Sequence, residues 1–437
     1  MNKKILIIGA GPCGLGAAYR LKELGYRDWK IVEKNPYVGG LSASFKDDLG
    51  FSWDIGGHVL FSSHDYFAKL MDIVLGSDYI EHERKAFVKL TDRWVAYPFQ
   101  NNIHNLAPSK ALECLFGLLL SRFERRTHAN FKEWIVSVFG KVIAGYFMLP
   151  YNSKVWVFPL DEMSYEWTSG RVSVVSLRRV LRNFIFAKDD SSWGENNKFR
   201  FPLFGGTGEI FRRLALNFDE NLRLGKEAVS IDVDKREVVF NDGTREGYDN
   251  LINTMPIDIF ANRAGLDALF PEINKLKHNS VYSIGLGLKR RISCDKCWVY
   301  FPSNKCPFYR LTYFSNYSSR NAPQGDYSSL LCETAFFGGA AKNKEVVIDE
   351  TIQALIDNGI LRQDDRDLIV SRFLVEAEYA YPIPTLGRDR ALSKLQPYLE
   401  DKGVYSRGRF GSWLYEKGNM DHSLMQGVEA VDRILNR

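Results

Sequence analysis

A chain of 437 residues is too long for one simple core, and two or three domains are expected. Hydrophobic content of 45% and charged content of 25% are those of a soluble globular protein, and 58 basic against 53 acidic residues leave a net charge of only +5. That excess argues against a nucleic-acid binder and suits an anionic cofactor or substrate; the 14% aromatic content serves core packing and, in part, flat ligands.

The first predicted strand is KILIIG, followed by a helix from about Gly14 to Leu24 that stops at Gly25, and a second strand, WKIVEK. This is a β-α-β unit. Residues from about 105 to 150 carry helical apolar spacing, and the longest apolar run near CLFGLLL is too short to cross a bilayer. Strands return in AVSIDVDKREVVFNDGTREGYDNLINTM, where Asn241, Asp242 and Gly243 mark a tight hairpin turn. A β-rich region follows, with YSIGLGLKRR, CWVYFP and YRLTYFS, interrupted by a helix near Val347 to Asn358. The chain ends with VYSRGRFGSW and a helix from about Ser423 to Leu435, with Asp421 and His422 just before it. No internal repeat is evident. The fold class is α/β: a discontinuous Rossmann-like nucleotide-binding domain with a helical domain and an antiparallel β-sheet domain. The expected boundaries are 1–78, 200–258 and 400–437 for the nucleotide-binding part, 101–199 for the mainly helical part, and 79–100 with 259–399 for the β-sheet part. With no signal peptide before the first strand and six cysteines, a reduced, cytoplasmic protein is expected. CDKC has metal-type spacing but no second pair to complete a zinc set, so no metal is expected.

GAGPCG places Gly9, Gly11 and Gly14 in the GxGxxG pattern, after a strand and at the start of a helix. Gly9 permits the turn, Gly11 lets backbone approach a pyrophosphate, and Gly14 allows close helix-sheet packing, with the helix N-terminus facing the phosphates. Glu33, 24 positions after Gly9, ends the second strand where an acid can accept hydrogen bonds from a ribose. In WDIGGHVLFSSHDYF two glycines run into His58, and His64 follows six residues on, which is no helical ligand spacing. His58 reads either as a general base or as part of a flexible glycine loop; His64 reads as structural or surface.

EKNPYVGGLSAS adds a second glycine pair, Gly39 and Gly40, and SRGRFGSW supplies Gly408 and Arg409. These stretches resemble the large FAD family that includes amine oxidases, phytoene desaturases and UDP-galactopyranose mutases. DIGGHVLFS, YPFQNN, PYNSKVW, WGENNKFRFPLFGGTG, DKCWVYFP, CPFYR, FSNYS, YPIPTL and SRGRFGSWLYEKGNMDHS sharpen the resemblance to UDP-galactopyranose mutases of the eukaryotic type over nearly the whole chain. Two departures stand out. The region after FSNYS is short where fungal members carry an insertion, and Met420 follows Asn419 where those enzymes have glutamine.

The resemblance implies an isomerase that interconverts UDP-galactopyranose and UDP-galactofuranose on reduced FAD, through a covalent flavin N5-sugar adduct and with no net redox change; NADPH or NADH is the implied reductant. It implies cofactor contacts at Gly57, His58, Gly408 and Arg409, with the loop backbone at Gly56 to His58 beside the flavin. Arg171 and Arg310 match the two diphosphate arginines, a role that suits arginine's planar fork. Tyr300, Tyr381 and Tyr415 match diphosphate hydrogen-bond donors. Tyr97, Phe99, Gln100, Phe147 and Asn152 match the uridine pocket, where aromatic faces and an amide would meet uracil. Trp156, Asn196, Trp298 and Asn419 match positions lining the sugar and flavin region. The catalytic residues so implied are His58, Arg171 and Arg310. A mutase for another UDP-sugar and a conventional flavin oxidoreductase of the amine oxidase type stay open as alternatives, as does the oligomeric state. No nucleic-acid or membrane partner is expected.

Overall fold

The computed structural model describes residues 3–90, 93–121, 128–169, 171–174, 176–190, 197–338 and 342–436. Its first sheet is five-stranded and wholly parallel, in the order Val404–Ser406, Asn250–Asn253, Ile5–Ile8, Trp29–Val32, Leu222–Arg223. The central strand is buried on both faces, as a strand covered by helices must be. Its alternation assigns the faces: Ile5 and Ile7 enter one apolar core, Leu6 and Ile8 the other. The sheet gathers strands from three distant parts of the chain. A right-sized helix, Pro12–Glu23, connects the first two strands, starting two residues earlier than its apolar pattern predicts because Pro12 takes its first position. It packs on the last helix, Met420–Leu435, through Gly16 and Gly427, each of which would meet backbone within 2.5 Å if it carried a Cβ.

The second large sheet has seven strands in the order Ile369–Ile383, Lys277–Leu288, Ser328–Phe336, Arg310–Tyr313, Trp298–Tyr300, Ala86–Lys89, Trp94–Ala96. All neighbours are antiparallel except the parallel pair Trp298–Tyr300 and Ala86–Lys89. Gly285 and Gly287 leave room on its face for Trp53 and Phe51, whose ring atoms would lie 2.3 and 2.6 Å from added Cβ atoms. The small hairpin Ser44–Lys46 and Ser52–Asp54 is thereby pinned to the sheet, and the chain leaving it, residues 56–64, is laid across the sheet. A three-stranded meander, Ala228–Asp232, Glu237–Phe240 and Arg245–Gly247, turns at Gly243 with φ of 76°.

The helical region holds Pro108–Leu120, Phe131–Ile143, a π-turn at Ala144–Met148, Leu149–Trp156 and Leu177–Phe186. Asn130 caps the second of these by accepting the Glu133 N–H at 2.9 Å. One expectation is corrected here. The apolar segment long enough to cross a membrane is not Cys114–Leu120 but the 26-residue run Phe131–Trp156. Its Phe131, Ile135, Phe139, Ile143 and Phe147 are buried in the core they share with Cys114 and Leu118, so it is a core helix of this lobe.

Candidate active site

Strand register assembles the first part of the site. Tyr300 pairs with Arg310, and Arg310 with Glu333, so three neighbouring strands present a tyrosine, an arginine and a carboxylate in one row. Glu333 is almost wholly buried and accepts four hydrogen bonds. Its Oε1 takes Arg310 Nε at 2.6 Å and the Gly57 N–H at 3.0 Å; its Oε2 takes Arg310 Nη2 and the Tyr309 hydroxyl, both at 2.8 Å. Burial opposes its charge, but Arg310 and these donors outweigh that and hold its carboxyl below the usual range. The glycine loop is thus bonded to the same carboxylate that orients Arg310. Gly56 and Gly57 must be small here: added Cβ atoms would come within 3.3 Å of Glu333 and 2.5 Å of Thr312.

His58 is half-buried, and its Nδ1 is buried without a hydrogen-bond partner among the described residues. Burial first, and then the positive charge of Arg409, pull its pKa down to about 3. The imidazole is therefore neutral at physiological pH, and the general-acid form is excluded there.

The row opens into a cavity of about 560 Å³. Gly57, His58, Tyr97, Gln100, Phe147, Asn152, Trp156, Arg171, Trp298, Tyr300, Arg310, Tyr381, Arg409, Tyr415 and Asn419 all lie on its wall, drawn from every part of the fold. Phe99 does not. It is fully buried and stacks on Phe147 at 5.2 Å, so it supports the ring that faces the cavity rather than facing it. Asn196 lies outside the described residues.

Among the described residues, two of the arginines on this wall have no carboxylate partner. Arg171 bonds the Glu416 carbonyl, at 2.9 Å through Nε, and Asn419 Oδ1 at 2.7 Å. Arg409 bonds the carbonyls of Gly418 at 2.8 Å and Ala380 at 3.1 Å. The Glu416 carboxylate is committed elsewhere, to Arg388. Each of the two guanidinium groups lies over a tyrosine ring, Arg171 over Tyr415 at 5.7 Å and Arg409 over Tyr381 at 5.6 Å. Burial pushes the Tyr97, Tyr151, Tyr309 and Tyr415 hydroxyls up, so all stay protonated donors. The wall is cationic and rich in donors, and it is built for an anion.

At the other end, Gly9 turns with φ of 99° and Gly14 packs under it, since a Cβ on Gly14 would fall 1.9 Å from the Gly9 carbonyl. Gly11 and Gly40 face each other, with a Gly40 Cβ falling 3.2 Å from the Gly11 Cα. Gly39 and Gly40 both take positive φ. Glu33 is buried and accepts the Ala10 N–H at 2.8 Å and the Asn35 N–H and side chain at 2.9 and 2.8 Å, which fixes it beside the glycine turn. Gly408, expected as a flavin-side or pyrophosphate contact, packs on Cys13 beside the glycine turn and donates its N–H to Gln426 Oε1 at 2.9 Å. A narrow cavity of about 30 Å³ connects the two ends. It shares His58, Arg310, Tyr381 and Arg409 with the large one and reaches Leu41, next to Gly40.

Several site residues were not legible in the sequence. Glu333 and Tyr309 carry the Arg310 network; Arg84 lies over the Tyr97 and Trp298 rings, 5.2 Å from each; Tyr151 and Trp167 complete the wall. A lone acid inside the apolar strand SSLLCETAF was the one available signal. Of the CDKC cysteines, Cys294 and Cys297 are free thiols, and Cys297 is buried.

Comparison with known proteins gives the family and the fold. The model of the flavin containing amine oxidoreductase family matches residues 12–435. Among curated relatives, a probable flavin-containing monoamine oxidase A of Dictyostelium discoideum is 33% identical over 114 residues, 26% of this chain and 24% of that protein. A zeta-carotene desaturase of Zea mays is 36% identical over 75 residues, 17% of this chain and 13% of the relative. The chain therefore aligns with a quarter or less of the length of these relatives. A crystal structure of a reduced UDP-galactopyranose mutase superposes with a TM-score of 0.96 at 42% identity, covering 100% of this chain and 94% of that one. A putative protoporphyrinogen oxidase from Exiguobacterium sp. shares the fold, with a TM-score of 0.77 at 17% identity over 100% of both chains.

Proposed function

The chain belongs to the flavin-containing amine oxidoreductase family and, within it, to the UDP-galactopyranose mutases, and from that premise we propose that it interconverts UDP-galactopyranose and UDP-galactofuranose with no net redox change. The observation that carries this reading is Arg171, a cation with no carboxylate partner among the described residues, on the wall of one cavity with Arg310. An oxidase for an apolar substrate has no use for that charge.

The residues fit FAD. Gly11 and Gly40 pack closely at the start of helix Pro12–Glu23, which no side chain caps, and buried Glu33 stands beside that turn, so a pyrophosphate there would meet bare backbone and the helix N-terminus. Arg409 and the backbone of Gly57 and His58 would hold the ring end, at the narrow cavity. Reduced flavin supplies the electron-rich centre that meets the anomeric carbon. We propose NADPH or NADH as the reductant, and a reducing, cytoplasmic compartment for a chain whose six cysteines are all free.

The chain's own residues then do the following. Tyr97, Gln100, Phe147 and Asn152 receive the uridine. Gln100 and Asn152 spend their side-chain N–H groups on the Ser173 and Met148 carbonyls, at 2.7 Å each, which turns their oxygens into oriented acceptors for uracil N–H. Arg171 and Arg310 take the diphosphate, with Tyr300, Tyr381 and Tyr415 donating to its oxygens. As the sugar–phosphate bond breaks, charge builds on UDP, and fixed cations in a site walled by aromatic rings stabilise it without reorganising. Trp156 and Trp298 lie on the cavity wall, where their rings would line the sugar and flavin region, while their indole N–H groups are buried behind it. With its pKa pulled down to about 3, neutral His58 is a weak base whose imidazolium is scarcely populated, so its loop backbone carries the role at the flavin.

The test is direct. Purified protein is checked for bound flavin, reduced chemically and supplied with UDP-galactofuranose; UDP-galactopyranose is expected, with no further reductant consumed. No conversion would overturn the reading. Met420, on the cavity wall where related enzymes carry glutamine, supports a second reading, a mutase for another UDP-hexose, and the same assay with those sugars separates the two.

A further inference from the structure

His64, expected to be structural or surface, is brought by the fold against two residues from the far end of the chain. His64, Asp421 and His422 each offer a ligand atom, and the three atoms lie within 4.8 Å of one another. They belong to two segments: the loop that begins at Gly56, and the first turn of helix Met420–Leu435. Ser62 fastens the two together. Its hydroxyl donates to Asp421 Oδ2 at 2.9 Å and accepts the His64 N–H at 3.0 Å. His422 Nδ1 lies 2.9 Å from Asp421 Oδ1, and the His64 and His422 rings meet edge to face at 5.2 Å. Asp421 is only 3% exposed. A carboxyl oxygen and two imidazoles thus converge at the rim of the large cavity, whose wall includes both Asp421 and His422.

Two imidazoles and one carboxylate, with a coordination position left toward an open cavity, form a donor set that suits zinc. Mg²⁺ and Ca²⁺ prefer oxygen ligands throughout, and Cu(I) prefers sulfur. We propose that His64, Asp421 and His422 bind one divalent ion of the zinc class at the rim of the cleft. The ion ties the glycine loop, and with it Gly57 and His58, to the helix whose cap Asn419 holds Arg171 at 2.7 Å. A tie between two elements that must adjust around the substrate slows turnover. That kinetic consequence rests on the proposed mutase reading; the binding does not.

Binding is measured on the chelator-treated full chain, by calorimetry with zinc sulfate and by the visible absorption of Co²⁺ put in its place. One saturable ion per chain is expected, with cobalt bands of a nitrogen and oxygen site and no thiolate charge-transfer band. His64→Gln, His422→Asn and Asp421→Asn should each weaken binding by at least about tenfold, the range known for the milder loss of an outer-shell partner, while Cys294→Ser leaves it unchanged. Circular dichroism melts establish that each variant is folded, and the His64 change alone decides if the Asp421 variant is not. Unaltered affinity in folded His64→Gln, a thiolate band, or no saturable binding overturns the proposal. In turnover assays zinc should slow the parent and spare His64→Gln. Absence of turnover in both would count against the mutase reading and leave the binding result standing.

Discussion

Replacing Glu333 with glutamine keeps the side-chain volume and converts one of its two oxygens into an NH₂ group. Each oxygen now serves two donors: Oε1 serves Arg310 Nε and the Gly57 N–H, and Oε2 serves Arg310 Nη2 and the Tyr309 hydroxyl. Whichever way the amide turns, two of these four donors lose their acceptor and face another donor. At roughly 1–3 kcal/mol for each buried donor left unsatisfied, the change costs about 2–6 kcal/mol of stability. The loss of charge beside buried Arg310 points the same way, because a half-broken buried pair is worse than none. Arg310 also loses the fork that aims it into the cavity, and misplacing such a group by about 1 Å costs on the order of 10²-fold in rate. Urea unfolding reads the first effect. Turnover of the reduced enzyme with UDP-galactofuranose, followed by separation of the two UDP-sugars, reads the second. A variant that unfolds at the parent's urea midpoint and turns over at the parent's kcat/KM would refute the role given to Glu333.

Arg171→Ala should lose about 10²- to 10³-fold in kcat, as when one stabilising donor of a developing anion is removed, and keep its flavin; loss of flavin instead would move Arg171 to the cofactor side. Gly14→Ala places a Cβ 1.9 Å from the Gly9 carbonyl, so the turn must open at a cost of about 1–3 kcal/mol or more, and protein purified without bound flavin is expected; parent-level flavin would contradict the packing argument. His58 titrates at about 3 in the fold against 6.5 when exposed. The unfolded chain therefore binds the extra proton first, and the stability of burying a neutral ring is full above about pH 6.5 and is lost as pH falls toward 3, by about 4 kcal/mol at roughly 1.4 kcal/mol per unit. Urea midpoints measured across that range should fall less steeply in His58→Asn than in the parent, and parallel slopes would show that His58 is not the group responsible.

What the sequence disclosed and what it withheld divide along the range of the interactions. The glycine turn was legible because its requirements are local: an apolar strand, a bend, and a helix packed close enough to exclude a Cβ at Gly14 all lie within a dozen residues. The large cavity was legible only through whole motifs that resemble a known family, since Arg171 and Asn419 are 248 positions apart and no spacing rule joins them. Phe99 shows the limit of that route. Its motif places it correctly beside Phe147, but a motif does not say which of two stacked rings faces the ligand. The Tyr300–Arg310–Glu333 row shows the limit of local physics. Glu333 is an acid in a buried strand, which would be costly alone, and the residue that makes it stable lies directly opposite on the next strand. A shift of that register by one residue would turn Arg310 to the other face and leave Glu333 buried without it. The same carboxylate that requires Arg310 also requires the Gly57 N–H. The register that stabilises the sheet is therefore what fixes the flavin-side loop and the diphosphate-side arginine to one another. A change at Glu333 should reach both ends of the reaction although it touches neither ligand.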